Sequence, residues 1–398
     1  MTGRPLEGVL VVAMEQALAI PFATRQLADL GARVIKIERP GTGDFARAYD
    51  ETVGGLSSAF VWLNRGKESI ELDVKSDHGR AVLDALLARA DVFLHNVSPS
   101  AARRLGVDSA TLSDSHPRLI SGAVSGYGNV GPKATSKAYD LLVQGETGII
   151  SLSGTEEHPS KVGISVADIA AGMYGYASVL AALRHRDRTG EALTVDISLF
   201  DSLTEWLGYP LMYTMYGGEA PRRMGANHAT IAPYGAFDTA DGEQVMLAVQ
   251  NDREWARFCE YVLRDSALAV DDRFASPARR LRHRAELDAV VNDCLSVLDR
   301  DTVIGRLEEA SIANSRLNSI VDLPKHEQLL ARERWIETGT ESGPVQTLLP
   351  PWVPAGHDLD YGSIPALGQH TRQVLDWLGL APAEDDLDHH SPRGARPT

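Results

Sequence analysis

The sequence predicts an α/β protein, a parallel sheet with helices on its faces plus a smaller α+β domain. Three observations carry that expectation. Short β-branched runs alternate with helical stretches over the first 200 residues, the pattern of a parallel sheet covered by helices. After about Tyr216 a hairpin and then three helices follow one another. From about residue 340 to 380 structured sequence returns, ending in the short helix TRQVLDWLGL. The expected segments are 1–219, 220–335 and 336–380, with 381–398 a polar, disordered tail.

The elements are expected in this order. GVLVVAM at 8–14 reads as a buried strand. Pro21 opens a helix through Leu30 and Gly31 closes it, the start and stop residues a helix prefers. RVIKIE at 33–38, SIELDVK at 69–75, DVFLHNV at 91–97 and RLISGAV at 118–124 are further strands, with a helix from Ser76 to Ala90. A long helix spans Val166 to His185 and leads into the strand ALTVDISLF at 191–199. YGAFDTADGEQVMLAVQ at 234–250 reads as a hairpin turning at Asp241–Gly242. Helices are expected near 252–263, 284–297 and 301–310.

Composition narrows the functional classes. The chain has 398 residues, 43% of them hydrophobic, enough for a large core. Lysine and arginine number 39 against 54 acids, a net charge of −15 that opposes nucleic acid and anionic membranes as partners. The N-terminus lacks the ending of a cleavable signal peptide, and no apolar run is expected to reach the roughly 18 residues that span a bilayer. The only cysteines, Cys259 and Cys294, form no Cys–X–X–Cys pair, so a reduced, cytoplasmic protein is expected.

Walker A, His–Glu–X–X–His and Gly–X–Ser–X–Gly signatures are absent. Gly41 to Ala46 matches the dinucleotide fingerprint only weakly, with no clear helix behind it. His389 and His390 stand beside acids on the polar tail and read as solvated, so no metal site is expected. Asp168 holds more interest, because Ser165-Val-Ala-Asp168 directly precedes the helix IAAGMYGYASVLAAL. It reads either as part of a capping box or as a reactive carboxylate beside a helix N-terminus, and the readings are compatible. The small residues Ala170, Ala171, Gly172, Gly175, Ala177 and Ser178 permit close approach of a ligand arm or of another helix. Arg39, Arg47, Arg65, Lys67, Lys75, Arg103, Arg104 and Lys137 are either solvated surface or, near strand ends, a set suited to a phosphate-rich ligand.

LGARVIKIERPGTGDFAR, NRGKESIELDVK, ADVFLHN, KAYD at 137–140, RTG before TVDISLFDS, and PALGQHT at 365–371 together resemble the class III CoA-transferases of the CaiB/BaiF type. The resemblance runs from about residue 5 to 380. It implies a Rossmann-like CoA-binding lobe built from both chain ends, a small inserted domain, and an interlocked homodimer. It places the family's catalytic aspartate at Asp168 and its CoA contacts at Gln16, Ala17, Arg39, Leu72, Lys75, Asn96, Val97, Arg104 and Lys137. Arg39, Lys75, Arg104 and Lys137 suit phosphate or other polar parts of CoA; Ala17, Leu72 and Val97 suit adenine or pantetheine.

The family includes α-methylacyl-CoA racemases, whose histidine falls at Tyr139 here. A phenol with a pKa near 10 is a poor proton shuttle at neutral pH. The expected activity is therefore CoA transfer from an acyl-CoA donor to a carboxylic acid, with the CoA thioester as substrate and no tightly bound cofactor. A racemase or other isomerase, or a non-catalytic CoA-binding protein, is the alternative. Arg222, Arg223, Asn227 and His228 suggest a second carboxylate on the acceptor, or else form an exposed polar loop. GANHATIAPYG at 225–235 and IANSRLNSI at 312–320 depart from the transferase pattern and leave the substrate open.

Overall fold

The structure is a computed structural model that describes residues 4–352 and 360–381. The expected tail, with His389 and His390, lies outside the described residues apart from Ala381. The chain divides into two compact units. The larger takes the residues up to Thr147, Gly163–Leu207 and those from Glu333 onward. The smaller takes Gly148–Val162 and Gly208–Arg332; the first of these segments is not part of the 220–335 span expected from sequence.

The larger unit is built on six parallel strands: β1 Leu10–Met14, β2 Arg33–Glu38, β3 Lys67–Glu71, β4 Val92–His95, β5 Ile120–Ser125 and β6 Val195–Ser198. Their order is β3-β2-β1-β4-β5-β6, so the winding reverses between β1 and β4, where ligands of such sheets bind at the carboxyl ends. Helices α1 Ala19–Asp29, α2 Ser58–Leu63, α3 Asp77–Leu87, α4 Pro99–Leu105, α5 Ser109–Ser115, α6 Asp140–Thr147, α7 Val166–Thr189 and α8 Leu199–Trp206 accompany them. β1 is buried along its whole length, as expected for a strand covered on both faces. Val12, Ile35 and Phe93 pack with Val82, Leu83 and Leu86 of α3 in one core cluster.

SIELDVK at 69–75 is not all strand. β3 ends at Glu71, and the Asp73 carboxylate and carbonyl accept the N–H groups of Lys75 and Ser76, turning the chain toward α3. Lys75 therefore sits in a turn rather than at a strand end.

α7 also departs from expectation, being long and apolar enough on average to cross a bilayer. Its small residues serve helix packing. A Cβ on Gly172 would lie 2.5 Å from the Ala19 carbonyl oxygen, and one on Gly175 would touch the Ala23 side chain at 3.6 Å. Contact with α1 thus explains the two glycines, and α7 is a core helix of this unit.

The smaller unit pairs α9 Gly208–Gly217, α10 Asp252–Arg257, α11 Pro277–Arg282, α12 Arg284–Leu295, α13 Arg300–Glu309 and α14 Glu327–Ala331 with an antiparallel sheet of β7 Tyr234–Asp238, β8 Gln244–Ala248 and β9 Ala313–Arg316. The β7–β8 hairpin turns at Asp241–Gly242, where Gly242 adopts φ +77°. IANSRLNSI contains β9, which pairs with β8. Trp255, Phe258, Phe274, Leu287 and Val291 centre its core, with Cys259 buried among them. Cys259 and Cys294 are both free thiols.

The chain then re-enters the larger unit through the hairpin β10 Trp335–Thr338 and β11 Val345–Leu348, and finishes in α15 Thr371–Leu378. The Ser69 carbonyl accepts the His370 N–H and the Thr371 hydroxyl accepts the Glu71 N–H. Both chain ends therefore build one lobe.

Candidate active site

The reversal between β1 and β4 brings Gln16 and Ala17 beside Asn96 and Val97. The Asn96 amide clamps Gln16, with Oδ1 accepting its N–H at 3.0 Å and Nδ2 donating to its carbonyl at 2.8 Å. Ala17 adopts φ +61°, a left-handed conformation costing a non-glycine residue roughly 1–3 kcal/mol. Asp44 accepts the Ala17 N–H at 3.0 Å.

Asp168 stands in the first turn of α7. Both α1 and α7 run back across the sheet to feed a parallel strand, so their N-termini share its carboxyl edge. That edge also carries the Gln16–Ala17 loop. The capping box expected there is absent, since the Ser165 side chain makes no capping bond. Asp140 caps the helix instead, its Oδ1 accepting the N–H groups of Ala167 at 2.7 Å and Asp168 at 3.4 Å. The Gln144 side chain holds the other Asp140 oxygen at 2.7 Å. The half-buried Asp168 carboxyl is pushed up to about 7, by burial first and then by the Asp140 carboxylate.

Tyr49 joins this site although sequence reasoning passed over it. Its phenol is pushed up to about 12 by burial, then by Asp44, Asp168 and Tyr139, which places it within electrostatic reach of the Asp168 carboxylate. Nothing but its place after a strand end marked Tyr49. Asp140 had a signal, standing last in the KAYD motif.

The eight candidate cations divide. Arg47 pairs with Glu38, Arg65 with Asp29, and Lys67 is fully buried on Glu15, so these three hold the fold rather than a phosphate. Arg39, Lys75, Arg103, Arg104 and Lys137 are exposed. Lys75 and Arg104 line a cavity of about 410 Å³ together with Val74, Arg80 and Leu105. Leu72 is buried in the cluster that Val74, Val97 and Leu105 flank. Arg39, past β2, and Lys137, two residues before Tyr139, do not line that cavity. The Gly41–Ala46 loop is no phosphate cradle, because Glu71 accepts the Gly41 N–H and Asp44 the Ala46 N–H.

Residues 6–371 match CoA-transferase family III. The chain belongs to that family. It is 34% identical over 384 residues to a succinate–glutarate CoA-transferase of Agrobacterium fabrum, covering 93% of this chain and 95% of that protein. It is also 34% identical to an acetyl-CoA:oxalate CoA-transferase of Acetobacter aceti, over 84% of this chain and 86% of that one. A crystal structure of a CaiB/BaiF family protein from Brucella suis superposes with a TM-score of 0.83 at 32% identity, covering 94% of this chain and 100% of that one.

For a CoA-transferase, the polar loop of the smaller unit is less open than expected. Arg223 donates to the carbonyls of Ser151, Thr155 and Glu156, fastening Gly148–Val162 rather than awaiting an acceptor carboxylate. His228 stacks on Tyr234 with ring centres 5.1 Å apart, and its Nδ1 accepts the Thr230 N–H. Asn227 lies tight against Gly235. Arg222 is exposed.

Proposed function

We propose that this chain moves CoA from an acyl-CoA donor, succinyl-CoA for example, to a dicarboxylic acid, with Asp168 as the covalent nucleophile. The observation that carries this is the place of Asp168 in the first turn of α7, its N–H bonded to the Asp140 carboxylate; burial and that like charge push its carboxyl up to about 7. A more basic carboxylate is a stronger nucleophile once ionised. An Asp168 oxygen attacks the thioester carbonyl, the C–S bond breaks, and an acyl–aspartyl anhydride and CoA thiolate result. The thiolate attacks the Asp168 carbonyl, releasing the donor acid and leaving an aspartyl–CoA thioester. An acceptor carboxylate displaces the thiolate again to form a second anhydride. The thiolate then takes the acceptor acyl group and restores the Asp168 carboxylate.

The backbone N–H groups at the start of α7 do not serve as the oxyanion site. Val166 donates to the Ile164 carbonyl, and Ala167 and Asp168 donate to Asp140. The donor assigned to the developing oxyanion is instead the Tyr49 hydroxyl, which lies within electrostatic reach of Asp168. Lys75 and Arg104 would hold polar groups of CoA at the cavity of about 410 Å³, with Leu72 and Val97 in the apolar cluster beside it; Gln16, Ala17, Asn96, Arg39 and Lys137 would contact other parts of CoA. The dicarboxylic class rests on the names of the relatives, among them succinyl-CoA:glutarate and succinyl-CoA:mesaconate CoA-transferases. An interlocked homodimer fits α9, whose sequence GYPLMYTMYG carries no charge and has no buried residue.

Asp168→Ala abolishes transfer while leaving CoA binding in place, and hydroxylamine added after donor modifies the Asp168 peptide in the wild type alone. A folded alanine variant that turns over at near wild-type rate refutes the mechanism. Arg104→Ala and Lys75→Ala each raise the apparent constant for the CoA donor several-fold, the loss of about 1 kcal/mol expected for one charged contact. If only the acceptor's constant moves, these residues belong to the other side of the site.

A further inference from the structure

One buried side chain ties the CoA loop to the wall of the nucleophile. Asp44, 1% exposed, lies in the loop after β2. Its Oδ1 accepts the Ala17 N–H at 3.0 Å and the Ala46 N–H at 2.9 Å, while Oδ2 accepts from Lys36 Nζ at 2.7 Å. The Ala46 bond caps the short 3₁₀ turn Phe45–Ala48, which directly precedes Tyr49. One carboxylate thus holds the left-handed backbone at Ala17 on one side and the start of the Tyr49 turn on the other.

The anchor is itself held from behind. Lys36, fully buried, also reaches Glu15 Oε1 at 3.3 Å. The Asp44 N–H donates to Glu38 Oε2 at 2.9 Å, and Glu38 grips Arg47 through both its oxygens. Among the described residues none of these groups hydrogen-bonds the Asp168 carboxyl, so their bearing on the chemistry runs through the Gln16–Ala17 loop and the Tyr49 turn.

We propose that Asp44, braced by Lys36, is a positioning residue that sets the Gln16–Ala17 loop for CoA; this rests on the reading of that loop as a CoA contact. The requirement is for an oxygen acceptor facing two N–H groups, with the charge needed only to match Lys36. An amide can supply that oxygen once the lysine is gone, because its NH2 would no longer confront an ammonium. A buried ion pair exchanged as a unit for neutral groups is commonly tolerated, whereas loss of one partner is not.

The test is calorimetric titration with free coenzyme A, alongside steady-state kinetics, on three variants of the full chain. Asp44→Ala/Lys36→Met removes both charges and the acceptor, and is expected to weaken CoA binding at least tenfold, raising KM for the acyl-CoA far more than it lowers kcat. Asp44→Asn/Lys36→Met keeps the acceptor and is expected to bind CoA within about threefold of the wild type. Asp44→Asn alone, with its amide opposed to Lys36, is expected to fall between them. A merely structural role would lower the melting temperature of both double variants without separating their CoA affinities. Equal affinities for the two, or wild-type affinity in Asp44→Ala/Lys36→Met, overturn the proposal. If that variant does not fold, wild-type affinity in Asp44→Asn overturns it and weakened affinity regained in Asp44→Asn/Lys36→Met upholds it. A wild-type chain that binds no CoA sinks the underlying reading as well, whereas an active Asp168→Ala variant sinks the nucleophile and leaves this result standing.

Discussion

Glu15 and Asp168 are two carboxylates at the same edge of one sheet, and the protein treats them in opposite ways. Burial pushes both upward. At Glu15, Lys67 at 2.7 Å and Lys36 at 3.3 Å overcome burial and hold the carboxyl below its ordinary value, with Thr24 donating to the second oxygen. At Asp168 the one charged neighbour that contributes among the described residues is another carboxylate, and the value rises to about 7. A fully paired charge holds backbone in place and is chemically quiet. An unpaired one costs stability and stays basic, as the proposed nucleophile requires.

The contrast breaks most visibly on the paired side. Lys67 donates to Glu15, to the Asn64 side chain and to the Pro21 carbonyl from a fully buried position. Lys67→Met leaves these acceptors short of a donor, and a loss of about 3–5 kcal/mol is expected, the usual cost of stranding a buried charge. Urea unfolding at pH 7 measures it. A loss below about 1 kcal/mol would mean that Lys36 alone satisfies Glu15.

The unpaired side predicts the reverse sign. Asp168 has a folded-state value of about 7 against an ordinary 3.8. The native state therefore holds a proton that the unfolded chain has released between about pH 4 and 7, and stability from this group falls as pH rises through that window. The cost is fully present above about pH 7. Asp168→Asn escapes it and is expected to exceed the wild type in stability by roughly 1–3 kcal/mol at pH 8, with little difference near pH 4. Since Asp140 caps α7, no cap is lost. A variant less stable than wild type at pH 8 would show that the carboxylate is paired after all.

Much of the fold was legible in the sequence, and what stayed illegible around the candidate site has one physical cause. The strands β1 and β2 announce themselves as β-branched runs, and the short segments between them leave few topologies. The resemblance also led to Asp168, Gln16 and Asn96 as candidates. What could not be read locally is which charges are already taken. Arg47, Arg65 and Lys67 look like Lys75 and Arg104 in one dimension, yet the first three find partners 9, 36 and 52 residues away in the chain. The cap of α7 was misassigned for the same reason. Ser165 has the right identity and position, but Asp140, more than twenty residues earlier, reaches the N–H groups first. Gly148–Val162 joins the smaller unit, with Arg223 bonded to its carbonyls, a pairing no local periodicity reveals.

The finest test separates the two causes of the Asp168 shift. Asp140 both caps α7 and supplies the like charge, and these roles come apart in Asp140→Asn. The amide oxygen can still accept from Ala167 and Asp168, so the helix start is kept while the negative charge is gone. Burial remains, so the Asp168 value should drop from about 7 without reaching its ordinary 3.8. Because the proposed attack by Asp168 needs the ionised form, kcat/KM in the wild type should fall as pH drops below about 7. In Asp140→Asn that acidic limb should move to lower pH by up to about one unit, with activity gained at pH 6 and nearly unchanged at pH 8. Profiles of kcat/KM for the acyl-CoA from pH 5 to 9 decide it. A limb that stays in place assigns the shift to burial alone, and a limb that moves upward means that Asp140 helps to ionise Asp168 rather than hindering it.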